Sequence, residues 1–231
     1  MINFYTIDDW WNNLKRNGYL SIDRYWGIIS YYREATDEGC QKTNKEVIDD
    51  GIFEKIWAVL TKCENEDLMH QISWIFLNLT KCKSNIMFKY LQSNHALFEH
   101  IGKMLQSKNK KTLENTLWSF ANLTRDGQEL IKVMLRTQLI ECIQTQVESD
   151  HAKISILRAW ARWLANLMKY KNKSQNLIAV SIYLLNTLLQ IRNKECRLDS
   201  WEGFKNLLTM KESSEKSQTK KLDLLASSGV I

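Results

Sequence analysis

Tryptophan and asparagine recur four residues apart at two places in the sequence, as Trp74 with Asn78 and Trp118 with Asn122. This spacing is close to one helical turn, so the members of each pair lie on one face of a helix. An asparagine amide can hydrogen-bond the main chain of an extended peptide, and an indole face attracts lysine or arginine through a cation–π contact. The pairs therefore predict a peptide-binding surface.

The same pairs also have a purely structural interpretation. Tryptophan at helical spacing often belongs to a hydrophobic core, and a buried asparagine can bridge neighbouring helices, since an unpaired buried amide costs about 1–3 kcal/mol. Both interpretations stay open at this level. Recurrence favours the binding surface, because asparagine stands at 78, 122 and 166, at intervals of 44 residues.

These asparagines belong to a repeat of 44 residues. The blocks around them align as SWIFLNLT from residue 73, LWSFANLT from 117 and ARWLANLM from 161. A second set of blocks aligns upstream of them, as FEKI from 53, FEHI from 98 and IECI from 140. Each unit is predicted to hold two long helices and a short one, with turns at Asp50-Gly51 and Ser93-Asn94.

The composition favours an all-α chain. Of 231 residues 44% are hydrophobic, none is proline and only 8 are glycine, which is too few turn formers for a β-sandwich or barrel. A helical repeat of this length is typical of armadillo or HEAT arrays, whose stacked units bury a continuous core. We predict a right-handed superhelical armadillo-repeat solenoid of about four to five repeats. Residues 1–210 would form the array, with an atypical N-terminal cap, and residues 211–231 a polar, disordered tail.

The sequence contains no pattern that indicates catalysis, a metal or a cofactor. Its 5 cysteines are never spaced C-x-x-C, its 4 histidines form no H-x-x-x-H pair, and no glycine-rich phosphate loop is visible. We therefore expect a non-catalytic protein without a cofactor. Scattered cysteines, together with the lack of a signal peptide or of an apolar run that could span a bilayer, favour the nucleus or the cytoplasm and no membrane.

The net charge of +6 permits two interpretations. A basic surface can bind nucleic acid, and it can equally be an ordinary lysine-rich surface in water. Basic residues are close together in one part of the sequence: Arg158, Arg162, Lys169, Lys171 and Lys173. A nucleic-acid- or chromatin-associated helical-repeat protein is therefore the alternative to a peptide-binding scaffold.

The tryptophan–asparagine pairs resemble those of importin-α (karyopherin-α), a family of armadillo adaptors that bind nuclear localisation signals. The run from Thr112 to Asp126, TLENTLWSFANLTRD, is similar to that family's third repeat, and the resemblance covers roughly residues 20–208. It implies an adaptor or scaffold that holds an extended, basic, nuclear-localisation-signal-like peptide of a partner protein in its concave groove.

The resemblance also assigns residues to this groove. Asp126 matches the acid that pairs with the most critical lysine of a signal, Glu114 matches a second groove acid, and Asn115 matches a polar neighbour that can touch the peptide backbone. The complete set implied for peptide binding is Trp74, Asn78, Glu114, Asn115, Trp118, Asn122, Asp126, Arg162, Asn166 and Trp201.

The chain departs from the family pattern at three places. Arg162 stands at a tryptophan position, and Lys205 follows Trp201 where asparagine or an aromatic residue is expected. These two cations predict a peptide with basic residues near Asp126 and acidic residues near Arg162. The first 40 residues hold only four basic ones, so the basic arm that binds importin-β in the family is not expected here. A specialised paralogue without autonomous import activity is the expectation.

Overall fold

The computed structural model describes residues 65–81, 86–94, 97–126, 131, 153–170, 175–209, 223 and 226. The predicted N-terminal cap and the turn at Asp50-Gly51 lie outside the described residues, as does the tail apart from Asp223 and Ala226, which are helical. All helices with defined bounds in these ranges are α1 (Glu66–Lys81), α2 (Ile86–Ser93), α3 (Leu97–Leu105), α4 (Lys110–Asp126), α5 (Ile154–Leu167), α6 (Gln175–Leu189) and α7 (Lys194–Thr209).

Four of these helices form a row, in which α1 packs against α4, α4 against α5, and α5 against α7. We call α1, α4, α5 and α7 the helix row. A second layer lies against the row, since α3 packs on α4 and α6 packs on both α5 and α7. Within the described ranges, no helix is both long enough and apolar enough to cross a membrane.

The unit between residues 86 and 126 shows how the 44-residue repeat folds. Its helices α2 and α3 have 8 and 9 residues, and α4 has 17, so the unit holds one long helix and two short ones. The prediction of two long helices was wrong for this unit, because α3 ends before the turn at Ser107. The Ser107 hydroxyl accepts a hydrogen bond from the backbone N–H of Asn109 at 3.1 Å. The turn at Ser93-Asn94 is confirmed, where the Asn94 side chain donates to the Tyr90 carbonyl at 2.9 Å.

Asparagine begins three of the four helices in the row. The side-chain oxygens of Asn65, Asn109 and Asn193 accept backbone N–H groups two or three residues further on, at 3.0–3.1 Å. Such caps satisfy amides that have no partner within the helix. The corresponding residue before α5 is Lys153, whose side chain makes no such bond. Positions 65, 109 and 153 follow the 44-residue interval, so the cap is a part of the repeat.

Aromatic side chains join the helices of the row into one core. Trp160 and Trp163 of α5 are fully buried, with ring centroids 5.7 Å apart, and the ring of Phe120 on α4 lies 6.1 Å from that of Trp163. At the other side of α5, helix α7 approaches closely at Gly203. A Cβ atom there would lie 2.8 Å from Leu185 Cδ1 and 3.3 Å from Ala165 Cα.

Candidate functional site

The asparagines of the row bridge one helix to the next. The Asn166 side-chain amide donates to the carbonyl of Ala121 at 2.8 Å, and Asn206 donates in the same way to the carbonyl of Ala165 at 2.9 Å. Ala121 and Ala165 each stand just before an asparagine of the preceding unit, so the bond recurs in register. The Asn122 amide reaches Thr80 Oγ1 of α1 at a longer 3.4 Å. These bonds give Asn122, Asn166 and Asn206 the bridging role that the sequence left open.

This hydrogen-bond register corrects the alignment of the last unit. Asn206 makes the bond that Asn166 makes one unit earlier, so Asn206 and not Lys205 is its equivalent. The position four residues before it, which is tryptophan in α1 and α4, is therefore Glu202 and not Trp201. The expected register failed because the interval shortens from 44 to 40 residues in this unit. The caps show the same shortening, since Lys153 and Asn193 are also 40 residues apart.

The indoles of Trp74 and Trp118 are half-buried on the row. The Trp74 ring lies 5.9 Å from the ring of His70, and Trp118 packs against the edge of the core. The guanidinium carbon of Arg158 on α5 lies 5.9 Å from the centroid of the Trp118 ring, which is within cation–π range. The Trp118 indole thus makes a cation–π contact, and the cation is an arginine of the same chain.

Two further predicted groove residues, Glu114 and Asn115, are half-buried on α4. The Asn115 amide donates to Ser73 Oγ of α1 at 3.2 Å, so it also connects neighbouring units. Asp126 is the last residue of α4, and its carboxylate lies outside what the structure describes.

The asparagine oxygens in α1 and α5 accept bonds from lysines three residues further on. Lys81 Nζ donates to Asn78 Oδ1 at 2.8 Å, and Lys169 Nζ lies 3.4 Å from Asn166 Oδ1. Asn78 and Asn166 are only 1% and 3% exposed. Both the nitrogen and the oxygen of the Asn166 side-chain amide therefore have partners within the protein. A hydrogen bond from Asn166 to a peptide main chain stays a prediction.

Two arginines of the predicted basic cluster pair with acids of α7. Arg162 Nη2 lies 2.7 Å from Asp199 Oδ1, and Arg158 forms an ion pair with Glu195. The Asp199 side chain is 9% exposed and that of Arg162 is 49% exposed. Burial raises the pKa of Asp199 above its ordinary value of 3.8, and the nearby Arg162 and Arg158 partly oppose that shift. An acidic ligand residue at Arg162 would therefore compete with Asp199.

Cys196 and the acidic and histidine side chains are the described groups to consider for chemistry. Burial raises the pKa of the Cys196 thiol to about 11, so it stays protonated at neutral pH and is a poor nucleophile. Among the described residues, no three histidine, cysteine or acidic side chains come together as a metal site would need.

The sequence matches no protein-family model, and no curated protein matches it. Solved structures match it closely in fold. A computationally designed armadillo repeat protein for modular peptide recognition has a TM-score of 0.79 and 14% identity, covering 91% of this chain and 84% of its own. This chain is an armadillo-repeat solenoid. The fold class predicted from the repeat is thereby confirmed.

Two other structures have the same fold. A designed armadillo repeat protein in complex with the peptide (KR)4 has a TM-score of 0.75 at 12% identity, over 89% of this chain and 81% of its own. An engineered protein has a TM-score of 0.75 at 15% identity, over 99% of this chain and 88% of its own. Identities this low relate the chains by fold alone.

Proposed function

We propose that this armadillo chain is a non-catalytic adaptor or scaffold that binds an extended, basic peptide of a partner protein along its helix row. The observation that carries the proposal is that Glu114 on α4 stands in the same repeat relation to the half-buried Trp74 on α1 as Arg158 on α5 stands to Trp118 on α4, whose ring the guanidinium contacts. Two solved armadillo neighbours support it, since one is designed for modular peptide recognition and the other holds the peptide (KR)4.

The indole and the carboxylate suit a lysine or arginine in complementary ways. The aliphatic stem of such a side chain packs on the indole face, and its charged head is attracted both by the ring and by the carboxylate. A contact of this kind is worth about 0.5–2 kcal/mol, which corresponds to about 2–30-fold in affinity. In an armadillo row such contacts can recur at intervals along an extended chain, and of the four row helices α1 and α4 carry tryptophan at this position.

The finer role that we propose is importin-α-like. The peptide would be a nuclear-localisation-signal-like segment, and the protein would act in the nucleus, the cytoplasm or both. It would then be a specialised paralogue that binds one partner without importing it alone.

Fluorescence anisotropy with a labelled lysine-rich peptide tests the proposal directly. The wild-type chain should bind this peptide, and Trp74→Ala and Glu114→Gln should each weaken binding by about 2–30-fold. Trp201→Ala is the control, because Trp201 is an exposed indole of the row that lies one residue away from the tryptophan-equivalent position. Equal losses from Trp74→Ala and Trp201→Ala would overturn the proposed site.

The same anisotropy assay distinguishes peptide binding from the alternative, nucleic-acid binding. A single-stranded oligonucleotide and a glutamate-rich peptide of equal length serve as competing ligands. Binding to the oligonucleotide that is tighter than to the lysine-rich peptide, and that falls steeply with salt, would favour the alternative. The two described arginines of the basic cluster do not favour it, since Arg158 and Arg162 are each paired with an acid.

A further inference from the structure

Arg158 connects three successive helices of the row. Its backbone belongs to α5, its guanidinium carbon lies 5.9 Å from the ring centroid of Trp118 on α4, and it forms an ion pair with Glu195 at the start of α7. The Arg158 side chain is 37% exposed, so it lies at the surface of the row rather than in the core. The arginine is thereby held on one side by an indole and on the other by a carboxylate.

The 44-residue repeat identifies the residue that corresponds to Arg158 in the preceding unit. Trp118 comes four residues before the asparagine of its unit, and Arg158 comes eight residues before the asparagine of the next unit. The residue in the same relation to Trp74 is Glu114 on α4. The repeat thus assigns a carboxylate to this place beside Trp74, whereas the structure shows a guanidinium beside Trp118.

We infer that Arg158 occupies, from within the chain, the cation position of the Trp118 indole, and so restricts recognition of a basic peptide to the Trp74–Glu114 position. This inference rests on the proposed function and names its specificity. A ligand lysine at Trp118 has to displace a tethered competitor, whose effective concentration is high because it belongs to the same molecule. It is also repelled by the charge of Arg158.

Removing the competitor should therefore improve binding. Arg158→Ala is expected to tighten binding of the lysine-rich peptide by about 2–30-fold, because a second indole becomes available. Arg158→Lys retains a cation over the ring and should bind close to wild type. Arg197→Ala is the matched control, since it removes the same charge from an exposed residue of α7.

A double-mutant cycle with Trp118 shows whether the gain comes from the indole. Trp118→Ala alone should change the affinity little, because Arg158 already covers the ring, yet it should cancel the gain in the Arg158→Ala background. Glu195→Gln weakens the anchor of Arg158 and should give a smaller gain. This variant leaves α5 intact and serves if Arg158→Ala fails to fold.

The outcomes separate the two proposals. If wild type binds and Arg158→Ala binds no more tightly, or if Arg197→Ala produces the same gain, the role of Arg158 is overturned and the proposed function stands. A gain in Arg158→Ala that survives the loss of Trp118 also overturns it. If neither wild type nor Arg158→Ala binds the peptide, the proposed function fails and the inference fails with it.

Discussion

The two buried asparagines of the row, Asn78 and Asn166, are hydrogen-bonding groups of the protein interior. Asn166 is 3% exposed, its amide nitrogen is bonded to the carbonyl of Ala121 and its oxygen lies near Lys169. The sequence alone could not decide between this role and peptide binding. The decision depends on how far the preceding helix approaches, and no residue pattern within one helix reports that distance.

Replacement of Asn166 tests the bridging role. Asn166→Ala removes the 2.8 Å bond to the Ala121 carbonyl, which then keeps only the longer 3.4 Å contact from the Thr124 hydroxyl among its side-chain donors, and should lower the free energy of unfolding by about 1–3 kcal/mol. Asn122→Ala is the matched control and should cost less, because the Asn122 amide makes only a 3.4 Å contact and is half-buried. Urea unfolding of both variants measures the difference, and equal losses would contradict the bridge.

Asp199 makes stability depend on pH in an unusual direction. Its raised pKa means that the folded state favours the protonated acid, so its contribution to stability is full below 3.8 and is lost as the pH rises through the folded-state value. Asp199→Asn mimics the protonated form. It should therefore raise the melting temperature at about pH 7 and leave it nearly unchanged at about pH 3.

Thermal unfolding at the two pH values provides the test. Glu202→Gln is the control for loss of one negative charge from the same helix, since Glu202 is 41% exposed and its Lys205 contact is 3.8 Å long. It should shift the melting temperature little at either pH. A destabilised Asp199→Asn variant at neutral pH would show that the Arg162 ion pair outweighs the burial of the carboxylate.

At the scale of the helices, the described row is capped unevenly. Asn65, Asn109 and Asn193 cap α1, α4 and α7, whereas Lys153 precedes α5. A lysine there offers no acceptor, and its positive charge is unfavourable beside the positive end of the helix dipole.

Restoring the missing cap should stabilise the protein. Lys153→Asn brings back the residue type found at the other three starts, and should raise the free energy of unfolding by about 0.5–2 kcal/mol. Asn109→Ala is the reciprocal variant and should lower it by about 1 kcal/mol. Urea unfolding midpoints check both, and a Lys153→Asn variant no more stable than wild type would show that water satisfies the α5 amides equally well.

At the scale of the whole molecule, the sequence predicted the 44-residue repeat but not the shorter last interval of 40 residues. The asparagines at 78, 122 and 166 sufficed to predict the fold, because an interval of 44 residues between helical blocks implies stacked units. The shorter interval that ends at Asn206 could not be read, since Trp201 offered a plausible but wrong register. The ion pairs of Arg158 and Arg162 with α7 were also invisible, because their partners lie 37 residues further along the chain.

The start of α5, which has no side-chain cap, also has a consequence for motion. We expect its first turn to open and close more readily than those of the capped helices, so its amides should exchange with deuterated solvent sooner. Arg158 lies only one turn beyond Ile154, where α5 begins. Each such opening would loosen the side chain that covers Trp118. A ligand would then reach this indole intermittently, as the start of α5 frays.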